Sequence, residues 1–128
     1  MSELSFFDYA FIRVIPYVER GEFINAGVIL FCRTRRFLDA QVELNPQRLL
    51  ALAPNCDPDD IQHHIEGIPR ICAGGAAAGP IGELTQAERF HWLVAPRSTI
   101  IQPSPVHTGR TADPAATLQH LFETIIHI

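Results

Sequence analysis

The longest apolar run in the chain, Ala26 to Cys32 (AGVILFC), is strand-sized and apolar at both odd and even positions. A strand of that kind needs cover on both faces, so it predicts a central strand over about Ile24 to Arg33. It is far shorter than the roughly 20 apolar residues that span a bilayer. The preceding segment, Phe6 to Val18, reads in a similar way. Ala10, Ile12, Val14 and Val18 share one side, and Tyr9, Phe11, Arg13, Ile15 and Tyr17 share the other. Both sides are largely apolar, which calls for helices on one and a partner on the other. Pro16 has no N–H for a ladder and marks either an edge or the strand's end.

After the turn RTRR, Phe37 to Leu44 alternates cleanly. Leu38, Ala40, Val42 and Leu44 point inward, and Asp39, Gln41 and Glu43 face water. Short turns between successive strands favour an antiparallel meander. Asn45-Pro46, Asp57-Pro58 and Asp113-Pro114 then place a capping side chain before a proline, a helix start each time. These predict helices over Pro46 to Ala53, from Pro58 to a stop or kink at Ile68-Pro69, and from Pro114 to about Ile126. Thr85 and Glu88 form a capping box for another, about Gln86 to Leu93. CAGGAAAGPIGEL between them reads as a loop. Ser98 to Gln102 reads as a fourth strand, and QPSPVHTG as a rigid extended arm, neither strand nor helix. The fold expected is α+β, a mainly antiparallel sheet of about four strands with three to four helices packed on it. Its 128 residues suit a single domain, 1–128.

The chain carries 10 basic and 14 acidic residues, a net charge of −4. That balance gives no general attraction for nucleic acid or acidic membranes. The start, MSELSFFDYAF, has no basic region before an apolar stretch and does not read as a signal peptide, so a cytoplasmic location is expected. The three cysteines, Cys32, Cys56 and Cys72, match no zinc or redox spacing and read as reduced thiols. No metal or cofactor is expected. His63 and His64 are adjacent, His120 and His127 are seven apart, and there is no HExxH. The stretch GGAAAGPIG is neither a Rossmann nor a Walker loop.

The polar segment WLVAPRSTIIQPSPVHTG, Trp92 to Gly109, holds the main candidates. Arg97, Ser98 and Thr99 combine a guanidinium with two hydroxyls, suited to a phosphate or carboxylate. The plainer reading is a strand start whose hydroxyls bond to backbone. His107, beside Thr108, is the histidine best placed to exchange a proton. Otherwise it is a structural or surface residue. Arg13, on an aromatic strand face, needs an acceptor such as Glu22 or Glu88, or else lines an anion pocket with Arg97. Arg33, Arg35 and Arg36 are a weak nucleic-acid candidate, because no second basic run supports them.

Three blocks, DYAFIRVIPYVERGEFINAGVILFC, IPRICAGG and ERFHWLVAPRSTIIQPSPVHTG, resemble one uncharacterised bacterial family known as a domain of unknown function. The resemblance covers nearly the whole chain. It implies a small standalone cytoplasmic protein, and some members are encoded beside kinase-like proteins of the HipA toxin type. It carries over no catalytic residues. Two functions follow as expectations. One is a non-enzymatic accessory that binds a protein partner, kinase-like or a second copy, through apolar surface around Phe6, Phe7 and Tyr9 or around Ile125, Ile126 and Ile128. The other is a binding module or enzyme for a small phosphorylated or carboxylate ligand, which requires Arg13, Arg97, Ser98, Thr99, His107 and Thr108 to converge.

Overall fold

Strand β1 (Ser5–Val14) is the middle of a five-stranded sheet in a computed structural model that describes residues 3–126. One edge of β1 pairs antiparallel with β2 (Ile24–Cys32), which pairs in turn with β3 (Phe37–Val42). The other edge is shared by two short strands in tandem. β4 (Ile101–Pro103) pairs with Ile12 to Val14, and β5 (His107–Thr111) with Ser5 to Tyr9. β1 therefore ends before Pro16, and it is interior rather than an edge.

The C-terminal strands correct the reading of the sequence. The fourth strand starts at Ile101, because residues 99–100 form a bend before it. The arm expected to be irregular contains β5. Pro103 and Pro105 do break the ladder, but only between Pro103 and His107. Ser104 repairs that break. Its backbone N–H donates to the Phe11 carbonyl at 2.8 Å. Its hydroxyl accepts from the Phe11 N–H at 2.8 Å and donates to the Pro105 carbonyl at 2.9 Å. Ser104 is only 2% exposed, so this hydroxyl stands where water cannot substitute.

The register shifts between Ile12, opposite Gly27, and Arg13, opposite Asn25, leaving Ala26 as the extra residue of a bulge. Gly27 has no room for a side chain. A Cβ there would sit 2.7 Å from the Gln41 carbonyl oxygen and 2.8 Å from Ile12 Cδ1.

Helices cover both faces of the sheet. On one face lie α1 (Pro46–Leu52), α2 (Pro58–Ile65), α3 (Gly67–Ala73) and α4 (Gln86–Leu93). They bury Leu49, Ile61, Ile65, Cys72, Phe90 and Leu93 against Ile12, Val14, Ile29, Phe31 and Leu38. Phe31 and Phe90 stack with centroids 5.2 Å apart. On the other face, Leu118 of α5 (Pro114–Leu121) packs on Phe7, Val28, Leu30 and Cys32, with Leu121 and Phe122 beside it. Helix α5 lies over β2 and β3. For that reason the outer side of β3 is not simply wet: Gln41 donates to Gln119 of α5 at 2.6 Å. One turn of π-helix, Phe122–Ile126, continues α5.

The expected caps all form. Asn45 accepts from Gln47 and Arg48, Asp57 from Asp59 and Asp60, and Asp113 from Ala116. Pro69 does not end a helix. The chain turns at Glu66 and starts α3 at Gly67, placing Pro69 in a first turn where a missing N–H costs no intrahelical bond. The glycine stretch is ordered: Ala76–Glu83 forms 3-10 turns kinked at Gly79, closed by the Gly75 N–H on the Gly82 carbonyl at 2.9 Å.

Two outcomes test this fold. Ser104→Ala leaves the Phe11 N–H without its acceptor, and denaturant unfolding should register a loss of about 1–3 kcal/mol. The exposed Ser98→Ala should stay within about 0.5 kcal/mol of wild type. At α4, the Thr85 backbone N–H, and secondly the Thr85 side chain, hold the Glu88 carboxyl below its ordinary 4.5. A depressed folded-state value contributes stability above pH 4.5 that is lost as pH falls through the lowered value. In an acid series of unfolding curves, wild type should lose stability relative to Glu88→Gln below that pH.

Candidate functional site

Helix α4 sets the site by where it ends. Pro96 prevents a further turn, and the chain folds Arg97 back over the helix end. Arg97 donates to the Trp92 carbonyl, and its guanidinium carbon lies 4.5 Å from the centre of the Trp92 ring. Bend residues close on themselves: the Thr99 hydroxyl donates to the Ile101 carbonyl at 2.8 Å, and Gln102 Nε2 to the Thr99 carbonyl at 2.7 Å. The Ile15 N–H donates to the Ile100 carbonyl at 2.6 Å, tying the bend to the end of β1.

Between this bend and helices α2 to α4 is a cleft of about 230 Å³. Ile12 and Ile29 line it from the sheet, and Ile68, Ile71 and Leu93 from the helices. Its polar and aromatic lining comes from His64, Trp92, Arg97, Thr99 and Gln102. A second hollow adjoins it, sharing His64, Thr99 and Ile101 and adding Asp60 and Ser98. His64 Nδ1 is 2.8 Å from the Asp60 carbonyl, which fixes the proton there in the neutral ring. Asp60 Oδ1 lies 3.7 Å from the same nitrogen. Among the described residues, Arg97 has no carboxylate partner.

The six ligand candidates thus divide. Arg97 and Thr99 line the cleft, and Ser98 the adjoining hollow. Arg13 and His107 lie on the opposite face of the sheet. The His107 ring is 5.4 Å from that of Tyr9 and 6.2 Å from that of Phe11. Arg13 finds neither expected acid. It lies 4.3 Å over the Phe23 ring, while Glu22 pairs with Arg20 at 2.9 Å and Glu88 serves the capping box. Buried Arg13 Nε has no hydrogen-bond partner. Thr108 donates to Asp8 Oδ1 at 2.9 Å. The convergence of all six does not occur, because the strand alternation that sets His107 beside Tyr9 holds it away from the helices.

His64 is the cleft residue that sequence reasoning missed. The signal was present: His64 follows Ile61 by three and precedes Ile68 by four, on the row that α2 and α3 turn inward. Arg33, Arg35 and Arg36 are all exposed in the β2–β3 turn, and Arg35 is engaged by the Ser5 hydroxyl at 3.0 Å and by the Glu3 carbonyl. Of the apolar surface residues, Phe6 is 67% exposed, whereas Phe7 and Ile126 are buried. His127 and Ile128 lie outside the described residues.

The middle block, IPRICAGG, has a structural explanation. Arg89 is buried without a carboxylate partner among the described residues, and its guanidinium donates to the carbonyls of Ile71, Cys72 and Leu84. It thereby caps the end of α3, where carbonyls lack helical donors. Gly74, with φ 75°, makes room: a Cβ there would come 2.8 Å from Arg89 Nη1. Among the described residues no group of three or more His, Cys, Asp or Glu could hold a metal, and no helix is long and apolar enough to cross a membrane.

A sequence model described as "Protein of unknown function (DUF3037)" matches residues 9–126. The chain belongs to this family. No curated protein and no solved structure matches it. The DUF3037 match runs from the middle of β1 to the end of the π-turn, and so takes in both the cleft and the Arg89 cap.

All three thiols are free. Burial pushes the Cys72 thiol up to about 12, with Asp39 adding to the shift and Arg89 opposing it. Cys32 is also buried, and its Sγ lies 3.4 Å from the Phe6 carbonyl. A thiol-reactive disulfide reagent at pH 8 should therefore modify only half-buried Cys56 in the native protein. Cys56→Ser should abolish that native reaction, and all the cysteines should react after unfolding.

Proposed function

We propose that this protein is a non-catalytic accessory that binds a protein partner through the part of the sheet that α5 leaves bare. The observation that carries this reading is the Arg13 side chain. Half-buried Arg13 has no carboxylate partner among the described residues, and its inner Nε has no acceptor either. It stands at the end of an aromatic row. Phe7, Tyr9 and Phe11 have successive ring centroids 5.5 and 5.7 Å apart, His107 leans on the last two, and Phe23 lies under Arg13. Phe23 is 42% exposed, so the strip has an accessible apolar rim.

Aromatic rings with an arginine are the residue types that dominate interface energies. The occupant that fits is a protein segment presenting a carboxylate or backbone carbonyl to Arg13, flanked by apolar side chains. The family resemblance suggests the nature of that partner, since some members are encoded beside kinase-like proteins of the HipA type. Cytoplasmic location and bacterial origin belong to the same reading. A second copy of this chain is the other occupant to be tested.

Co-expression with such a kinase-like neighbour, followed by size-exclusion chromatography with light scattering, tests the proposal. A one-to-one complex is expected, weakened about tenfold or more by Phe23→Ser or His107→Ala and left unchanged by Arg33→Ala. A homodimer broken by the same two substitutions would replace the kinase-like partner with a second copy. A monomer that forms no complex would overturn the reading.

A further inference from the structure

We infer that the cleft on the opposite face, between the helices and the 97–100 segment, binds a small monocarboxylate with an apolar or aromatic body. This inference is independent of the docking strip. Walls formed by Ile12, Ile29, Ile68, Ile71 and Leu93 suit a hydrocarbon body, because removing it from water is the main gain such a surface offers. The volume, about 230 Å³, is below the roughly 300–1,000 Å³ of drug-sized sites, which selects a small ligand.

The head group follows from charge. Arg97 brings a guanidinium with no carboxylate partner among the described residues to a mainly apolar cleft. Its orientation is set in advance by the Trp92 carbonyl and ring, so little freedom remains to be lost on binding. The guanidinium fork matches the two oxygens of a carboxylate. With Nδ1 donating to the Asp60 carbonyl, neutral His64 offers only an Nε2 lone pair, so the carboxylate head falls to Arg97 alone. Asp60, in the adjoining hollow, opposes a second negative charge. One guanidinium with an acid nearby favours a single charge over a phosphate dianion.

Titration calorimetry with hexanoate and phenylacetate tests the assignment, with hexanamide as the uncharged control. Fluorescence of Trp92, the chain's one tryptophan, gives a second readout at the cleft itself. Saturable binding of at least one acid is expected, with hexanamide weaker by about tenfold or more. Arg97→Ala should weaken the acid by a similar factor without lowering the unfolding midpoint much, and Arg97→Gln carries the same test should the alanine variant fail to fold. Absence of saturation by either acid up to about 10 mM, roughly the weak limit of specific recognition, would overturn the inference. So would equal binding of hexanamide, or affinity unchanged by loss of Arg97. Tighter binding of phenyl phosphate than of phenylacetate would replace the carboxylate with a phosphate. Each result stands whether or not a protein partner is found.

Discussion

Everything in this fold is arranged around β1, which must be satisfied on both edges and covered on both faces. β2 supplies one edge without interruption apart from the bulge. The second edge comes from two strands with prolines between them, and prolines cannot donate. The Ser104 hydroxyl resolves that conflict by taking the place of a ladder carbonyl for Phe11. A buried N–H is thereby paired at the one point where the backbone of β4 and β5 could not pair it. The two sides of β1 then receive different cover. Four helices pack densely on the side of Ile12 and Val14. The single helix α5 is placed by its contacts over β2 and β3, and the Tyr9, Phe11 and Arg13 side of β1 keeps its own aromatic cover.

Local signals were legible in the sequence wherever the physics is local. Asn45, Asp57, Asp113 and the Thr85–Glu88 box mark helix starts because each cap uses atoms within three residues. The apolar run through Ala26 to Cys32 announced a central strand because both faces needed cover. What was not legible depends on distant pairing. His107 to Thr111 has little strand character of its own, and it becomes a strand because Ser5 to Tyr9 offers an edge. Pro69 looked like a stop because a stop and a fresh start within one turn share the same residues. Gly74 to Gly82 looked like a loop, although its closure requires only two backbone groups to meet.

The candidate sites follow the same division. Arg97, Ser98 and Thr99 are neighbours in sequence and remain neighbours in space, whereas His107 and Arg13 were joined to them only by chemical type. Sheet alternation decides their side, and it sends His107 to Tyr9. His64 entered the cleft through helix periodicity that was readable but had been weighed only for metal chelation. Arg89 shows the converse. A buried arginine near two glycines suggests an anion site, yet its guanidinium already donates to the Ile71 and Cys72 carbonyls at the end of α3 and to the Leu84 carbonyl. It is therefore a cap, and Gly74 beside it serves to make room.

The tandem edge has a consequence for the order in which this protein can be built. The Phe11–Ser104 and Asp8–Thr108 bonds join residues 93 and 100 positions apart. During synthesis from the N-terminus, β1 to β3 and the first four helices exist before either strand of that edge has been made. Through that interval β1 presents a bare ladder of donors and acceptors, and Ile12 and Ile29 lack the wall that the bend will provide. An open edge beside uncovered apolar side chains is the surface that invites pairing with another nascent chain. Translation of the segment from Arg97 to Thr111 is thus the step that closes the open edge, and α5 then covers the remaining face.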